Sequence, residues 1–440
     1  MNLHLVSFFV LNSALCYSQG HDKHTLVYTI DYNNIGANAW LDSLTEKDTL
    51  IFTSTNSEPF PISSFNVAMS DSSGSFIFAC NGEKVFNKDL KVMKYGDSIN
   101  VKDEYNNFDN NNFVYNHINA IPIPGRTSEY AFFYNSIYDD VFGRLRRVLR
   151  YARIDVDNHE KNGIVVEKNI ILDTMDLVPP VLCKHANGYD WWIISADARD
   201  KVINIYLLSE DGILGPHIFR TGSEINEIFR NQKSYSFHYL LISSDGNHLI
   251  SQKPEGYLDV FDFDRCTGNI TFNKSINNFN TSDFRFSDVI IDACLSPNGK
   301  YLYFTTRNEL YQTNLLSNNS VKLCHFYSSL NPFLVNLSDS KLLITSQIGS
   351  GSAPLLALIS NPNLPGNNAD VNLQIYNNFT FFAPYLNSLK LPKFPNYRLG
   401  KSENYFEDTC NFINHSVNLM DKEYFTKDGK IYFTLKRKYK

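Results

Sequence analysis

The sequence predicts an all-β fold: a β-propeller, with seven blades of four antiparallel strands favoured over six or eight, followed by a short carboxy-terminal appendage. Three observations predict it. Short, almost wholly apolar runs such as "YLYFTT", "WWIISA" and "AFFYNS" have the character of strands buried on both faces. Aromatic residues make up 14% of the 440, with 33 Phe and 26 Tyr, and pleated surfaces favour them. Polar turns rich in Asn, Asp, Ser and Gly separate the runs and recur at Gly74, Gly125, Gly188, Gly246, Gly299 and Ser340, which are 51, 63, 58, 53 and 41 residues apart. A period of this size with four short strands in each unit is that of a propeller blade. A single blade cannot cover its own two faces; stacking around an axis buries them.

Six repeats are visible directly. A seventh blade is assembled from both ends of the chain: "TLVYTIDY" (25–32) and "TLIFTST" (49–55) with a strand near "NSLKLPKF" (387–394). That gives a propeller over residues 21–400 and an appendage over 401–440, where "EYFTKDGKIYFTLKRK" reads as a hairpin around Asp428-Gly429. One short helix is expected, at "SEINEIFRNQK" (223–233), with Ser223 as its cap.

Residues 1–20 read as a secretion signal, because "LVSFFVLNSAL" (5–15) has the length of a signal's apolar region and a polar stretch follows it. No later run approaches the ~18 apolar residues of a membrane span. The expected location is therefore outside the cell or on its surface. Net charge is -6 and only 20% of residues are charged, so neither a nucleic-acid partner nor a disordered acidic tail is indicated. Beyond Cys16, six cysteines remain: Cys80, Cys183, Cys266, Cys294, Cys324 and Cys410. An exported chain permits disulfides among them, and fifteen pairings are open. No C-x-x-C spacing suggests a zinc or redox centre, and no metal or cofactor is expected.

Further along, "KHANGYDWWII", "VFDFDRCTG", "LSPNGKYLYF", "ALISNPNLPGNNADV" and above all "FPNYRLG" follow one another in an order that resembles secreted bacterial WD40/YVTN-like propeller proteins, which often end in a type IX secretion sorting domain. The resemblance spans about residues 38–400. It implies a secreted or cell-surface propeller and no catalytic residues. Only 40 residues follow Gly400, fewer than the usual sorting domain.

Within a blade the strands run outward from the axis. The one–two and three–four turns open on one face; the two–three loops and the links between blades open on the other. The one–two turns are tight ("SPNG", "SSDG", "ANGYD"), and the length lies opposite, in 95–116, 135–148, 196–201, 220–234 and 347–354. Insertions gathered on one face mark it as the binding face of a repeat protein. Its candidates are Tyr138, Asp139, Asp140, Arg199, Asp200, Glu255 and Arg307. His185, Asn187 and Asp190 could ligate or titrate, but a turn uses Asn and Asp to bond its own backbone. Trp191 and Trp192 could stack on a sugar, but neighbouring strand residues face opposite ways and suit packing better. Asp262 and Asp264 share a face yet lack the pattern of a calcium loop. "RLRRVLR" (144–150) is a local basic run.

The function expected is that of an exported, non-catalytic scaffold for a glycan or protein partner. Two alternatives stand beside it. One is a propeller hydrolase or lactonase with a central-channel site, for which His238 and Asp292 are the candidates. The other is a structural module whose appendage mediates assembly. The sequence sets neither the partner nor an oligomeric state.

Overall fold

The structure, a computed structural model, describes most of residues 67–99, 118–224, 240–276, 290–326, 331–373 and 395–405, together with Cys410; the strands outside those ranges are described as backbone alone. It is all-β. Among the described residues the only helical turn is a 3-10 turn at Gly366–Ala369, and no helix is long and apolar enough to cross a membrane.

A three-stranded sheet comes first: β1 (Thr25–Val27), β2 (Ala39–Leu44) and β3 (Leu50–Ser54). Six blades follow. The first holds β4 (Val67–Ser70), β5 (Phe76–Cys80) and β6 (Val85–Asn87), and its outer strand is reduced to a bridge between Phe86 and Val92. The second holds β7 (Asn119–Pro122), β8 (Glu129–Asp139), β9 (Leu145–Asp155) and β10 (Ile164–Asp173). The third holds β11 (Val181–Lys184), β12 (Trp191–Ala196), β13 (Val202–Ser209) and β14 (Gly212–Arg220). The fourth holds β15 (Leu240–Ile242), β16 (His248–Gln252), β17 (Leu258–Phe263) and β18 (Ile270–Ile276). The fifth holds β19 (Asp292–Leu295), β20 (Tyr301–Thr305), β21 (Glu309–Asn314) and β22 (Ser320–His325). The sixth holds β23 (Asn331–Asn336), β24 (Leu342–Gln347), β25 (Leu356–Ile359) and β26 (Val371–Asn372). Each pairs in chain order, antiparallel throughout. A last hairpin joins β27 (Lys422–Lys427) to β28 (Lys430–Leu435).

The expectation of seven four-stranded blades is corrected to six. Six turn signals recur in the sequence, and six blades are built on them. The seventh rested on closing the ring rather than on a repeat. Its amino-terminal runs each pair with β2, which lies between them in the three-stranded sheet β1-β2-β3, and 387–394 lies outside the described residues. The helix expected at 223–233 falls beyond the described residues after Glu224, and so does the turn around Asp428-Gly429. A second correction concerns 135–148, read as a long two–three loop. Strand β8 runs on to Asp139 and β9 starts at Leu145, with Ser136 opposite Val148, so the basic run "RLRRVLR" is largely strand.

The core lies in the seams between blades, which explains why the strands are apolar on both faces. Along β12, Trp191 and Ile193 pack towards blade two with Phe132 and Ile154, while Trp192 and Ile194 pack towards blade four with Leu249 and Phe261. The two-residue period of a strand sends alternate side chains to alternate seams. The pattern repeats further on: Ile250, Val260, Leu302 and Phe304 fill the seam of blades four and five, and Tyr303, Leu334 and Ile344 that of five and six.

Polar latches pin the seams at the loop-face ends of the strands. The Asn135 amide donates to Leu177 O at 2.8 Å, Gln252 to Ile290 O at 2.7 Å, and the Thr305 hydroxyl to Pro332 O at 2.8 Å. Each reaches the backbone that leads into, or forms, the next blade's first strand. A buried carbonyl without a donor would be costly, so each latch both satisfies that oxygen and sets the angle between blades.

Candidate functional site

The strand order places the ends of β12, β14, β16 and β18 on the loop face, and the described residues there form one polar network across blades three and four. Its buried node is Asp259, on β17 in "LDVFDF". Its carboxylate accepts the Ser223 N–H at 2.8 Å and the hydroxyls of Ser223 and Ser275, and stands 3.7 Å from Lys253 Nζ. Both ends of this ion pair are buried, with Lys253 3% and Asp259 0% exposed. Gly222 lets the chain pass this close: its φ is +107°, and a Cβ there would lie 3.0 Å from Asp259 Oδ2.

The exposed rim continues from the node. The Tyr257 hydroxyl donates to Glu224 O at 2.7 Å, and Lys201 Nζ pairs with the Glu224 carboxylate. Arg220 Nη1 lies 4.0 Å from Asp200 Oδ2. Asp200 also accepts the Lys201 N–H at 2.8 Å and donates its own N–H to Asp197. The rim therefore offers two cations and two anions towards solvent above a buried, hydrogen-bonded base.

Of the residues singled out from the sequence, Asp200 is part of this network. Glu255 lies between two of its members, Lys253 and Tyr257, and Arg199 adjoins Asp200; both fall outside the described residues, as do Asp140, Arg307 and His238. Tyr138 and Asp139 end β8, opposite Arg146 and Leu145. Asp292 is 1% exposed and accepts the Leu334 N–H at 2.9 Å and the Ala293 N–H at 2.9 Å. Its carboxylate thus joins the innermost strands β19 and β23. Asp292→Ala is expected to cost about 1–3 kcal/mol by stranding the Leu334 N–H, read in a urea titration. Unchanged stability would detach the carboxylate from that seam.

The remaining sequence candidates are structural. Asn187 Oδ1 accepts the N–H groups of Tyr189 (2.9 Å) and Asp190 (3.0 Å), and His185 Nε2 lies 2.9 Å from Cys266 O. Trp191 and Trp192 are 1% and 0% exposed. Asp264 caps the Cys266 N–H at 2.9 Å and takes the Thr267 hydroxyl at 2.6 Å, and Asp262 faces His248 and Asn273. Among the described residues no group of three or more His, Cys, Asp or Glu is arranged to hold a metal ion.

The opposite face is occupied by the chain itself. Residues 395–405, which contain "PNYRLG", cross the tight turns of blades two to four as a strap. The buried Tyr397 hydroxyl donates to Ala120 O at 2.6 Å and its ring meets Trp191 edge-on at 5.8 Å. The Asn396 amide donates to Ser244 O at 2.6 Å. Arg265 donates to Lys184 O (2.9 Å), His185 O (3.1 Å) and Gly400 O (2.7 Å), tying turn and strap together. Ser402 N–H donates to Ala186 O at 2.8 Å. Beyond it, Cys410 forms a disulfide with Cys266 in the three–four turn of blade four. Cys80, Cys183 and Cys294 are buried thiols outside that disulfide, and Cys324 is a half-buried one.

Sequence reasoning missed both features. A charged residue inside the apolar run "LDVFDF" was the available signal for Asp259. "FPNYRLG" stood out as distinctive without disclosing that it packs on the blades.

Six blades and a loop-bearing face define a β-propeller repeat protein. No protein-family model matches the chain, and no curated protein matches it. Similar solved structures are a functionally unknown protein from Desulfotomaculum acetoxidans (TM-score 0.43, 11% identity, covering 84% of this chain and 99% of that one) and the Cps50 (Swd1) β-propeller domain of Myceliophteria thermophila (TM-score 0.40, 11% identity, 74% and 93%). The Dos1 propeller is a third (TM-score 0.36, 14% identity, 75% and 74%).

Proposed function

We propose that the protein is an exported, non-catalytic binding scaffold that holds a protein partner on its loop face. The observation that carries this reading is the asymmetry of the two faces. The face with the tight turns is covered across blades two to four by residues 395–405, which leaves the face with the long connections for a partner. The rim of that face carries Asp200, Lys201, Arg220 and Glu224, a mixture of signs suited to the polar rim of a protein interface. Trp191 and Trp192, the two tryptophans weighed as a platform for a sugar, are buried in seams, which favours a protein over a glycan. The channel-hydrolase reading draws no support from Asp292, whose carboxylate is engaged between blades. Export is supported by the signal-like residues 1–20 and by the Cys266–Cys410 disulfide, since such bonds persist in oxidising compartments.

A thermal-shift panel on the chain from residue 21 tests the partner class. A ligand that binds only the folded state adds about 2.7 kcal/mol of stability at a hundredfold excess over its dissociation constant. The expected result is no shift with neutral polysaccharides, acidic polysaccharides, divalent cations or chelator. A polysaccharide shift would replace the protein partner by a glycan, and a metal-dependent shift would revive the enzyme reading.

A further inference from the structure

The disulfide joins residues 144 apart in sequence, with their Cα atoms 4.8 Å apart. Nothing local brings them together. Cys266 sits in a turn of blade four, and Cys410 reaches it only after the chain has crossed the blades as the strap. Arg265, the neighbour of Cys266, holds the strap at Gly400 O. The turns are shaped for that crossing. A Cβ at Gly188 would lie 2.5 Å from Lys401 N, and one at Gly246 would meet Arg265 at 2.6 Å and Leu399 at 3.0 Å. Further along, the His185 ring meets Tyr405 edge-on at 6.1 Å, and Lys401 Nζ stands 4.8 Å over the Tyr405 ring.

We propose that Cys266–Cys410 is an oxidation-dependent lock that closes only on a docked strap, and that residues 395–405 keep their seat when it is reduced. Closure removes two electrons and two protons from the Cys266 and Cys410 thiols. A small-molecule or protein disulfide accepts them and becomes two thiols; a dithiol reverses the exchange. Cys266 and Cys410 are both half-buried and within reach of such reagents. The other thiols compete poorly. Cys80, Cys183 and Cys294 are buried. Burial also pushes the Cys80 and Cys183 thiols up to about 12 and that of Cys324 up to about 11, which keeps the nucleophilic thiolate scarce.

The test starts from reduced, folded protein and oxidised glutathione, with closure followed by mass spectrometry. The native chain is expected to give the Cys266–Cys410 pair. Gly188→Ala should slow that closure by about tenfold or more, because an undocked strap loses its effective concentration at Cys266. Tyr397→Phe, which removes only the hydroxyl bound to Ala120 O, is the second variant and is expected to slow closure while the near-ultraviolet circular dichroism stays native. Closure at the native rate in both variants, or equally fast closure of the same pair in urea, would overturn the lock. In the reverse direction, dithiothreitol is expected to open the disulfide and leave 395–405 uncut by protease. Cleavage within 395–405 on reduction would contradict a strap that docks without the bond. Closure and digestion are read on the isolated chain, so failure here leaves the partner reading untouched.

Discussion

Asp259→Ala is expected to destabilise the protein by about 3–5 kcal/mol, because it removes the carboxylate that stands beside a buried lysine and accepts from two hydroxyls and a backbone N–H. Lys253 is 3% exposed and stands 3.7 Å from the Asp259 carboxylate, so removing the carboxylate takes away its anion where water cannot replace it. The Ser223 N–H and the Ser223 and Ser275 hydroxyls lose the same acceptor. Urea titration reads the loss as a lower midpoint. A double variant, Asp259→Leu with Lys253→Met, separates charge burial from packing. Replacing both ends by apolar groups is milder than breaking the pair, so the double variant is expected to recover part of the stability. A single variant as stable as the native protein would show that the node does not hold blades three and four together. Since Ser223 begins the link that leaves blade three, the same substitution should also loosen the Glu224–Lys201 rim.

Trp191→Ala is expected to cost about 3–5 kcal/mol, the range for emptying the site of a large buried aromatic. The indole fills the seam of blades two and three, takes the edge of Tyr397 at 5.8 Å and lies under Lys184 Nζ at 5.4 Å. The cavity therefore opens beneath the strap, and residues 395–405 should become protease-sensitive in this variant. Trp192→Ala empties the next seam instead and removes one of the two donors to the carbonyl of Arg265, which accepts the Trp192 indole N–H at 2.8 Å and the Ala186 N–H at 2.9 Å. Thermal denaturation compares the two. Loss of stability without strap cleavage in Trp191→Ala would separate the strap from the core it is drawn against.

Much of the fold was legible because the physics is local. A strand buried on both faces must be apolar at consecutive positions, and "WWIISA" announces this within six residues, all of them buried. The turn glycines were legible for the same reason: Gly125, Gly188, Gly246 and Gly299 all take φ between +69° and +75°, where side chains are strained. The blade count was not legible, because whether two distant segments share a sheet is a long-range pairing that no short run encodes. The basic run at 144–150 misled for a related reason. Arg147 is 7% exposed within β9, and a strand can bury an arginine whose neighbours Val148 and Leu149 fill the core.

The site was less legible than the fold. Asp200 could be named as a candidate because it lies in a loop, where charge is conspicuous. Asp259 and Lys253 act from inside or beside strands, and their meaning depends on Ser223, which comes from the preceding blade. Asp292 shows the converse. A lone carboxylate on an inner strand suggested chemistry, yet its oxygens serve backbone N–H groups of its own and the next blade.

The measurement that tests the central claim most directly compares the two faces of the same folded protein. One variant reverses the loop-face rim (Asp200→Lys, Lys201→Glu, Arg220→Glu), and the other reverses exposed charge on the strapped face (Arg398→Glu, Lys401→Glu). Each is immobilised and its capture of cell-surface proteins is compared with that of the native chain by quantitative mass spectrometry. If the loop face holds the partner, a protein captured by the native chain is lost by the rim variant and kept by the strap-face variant. Capture kept by the rim variant and lost by the strap-face variant would contradict the account and move the binding site to the opposite end of the propeller.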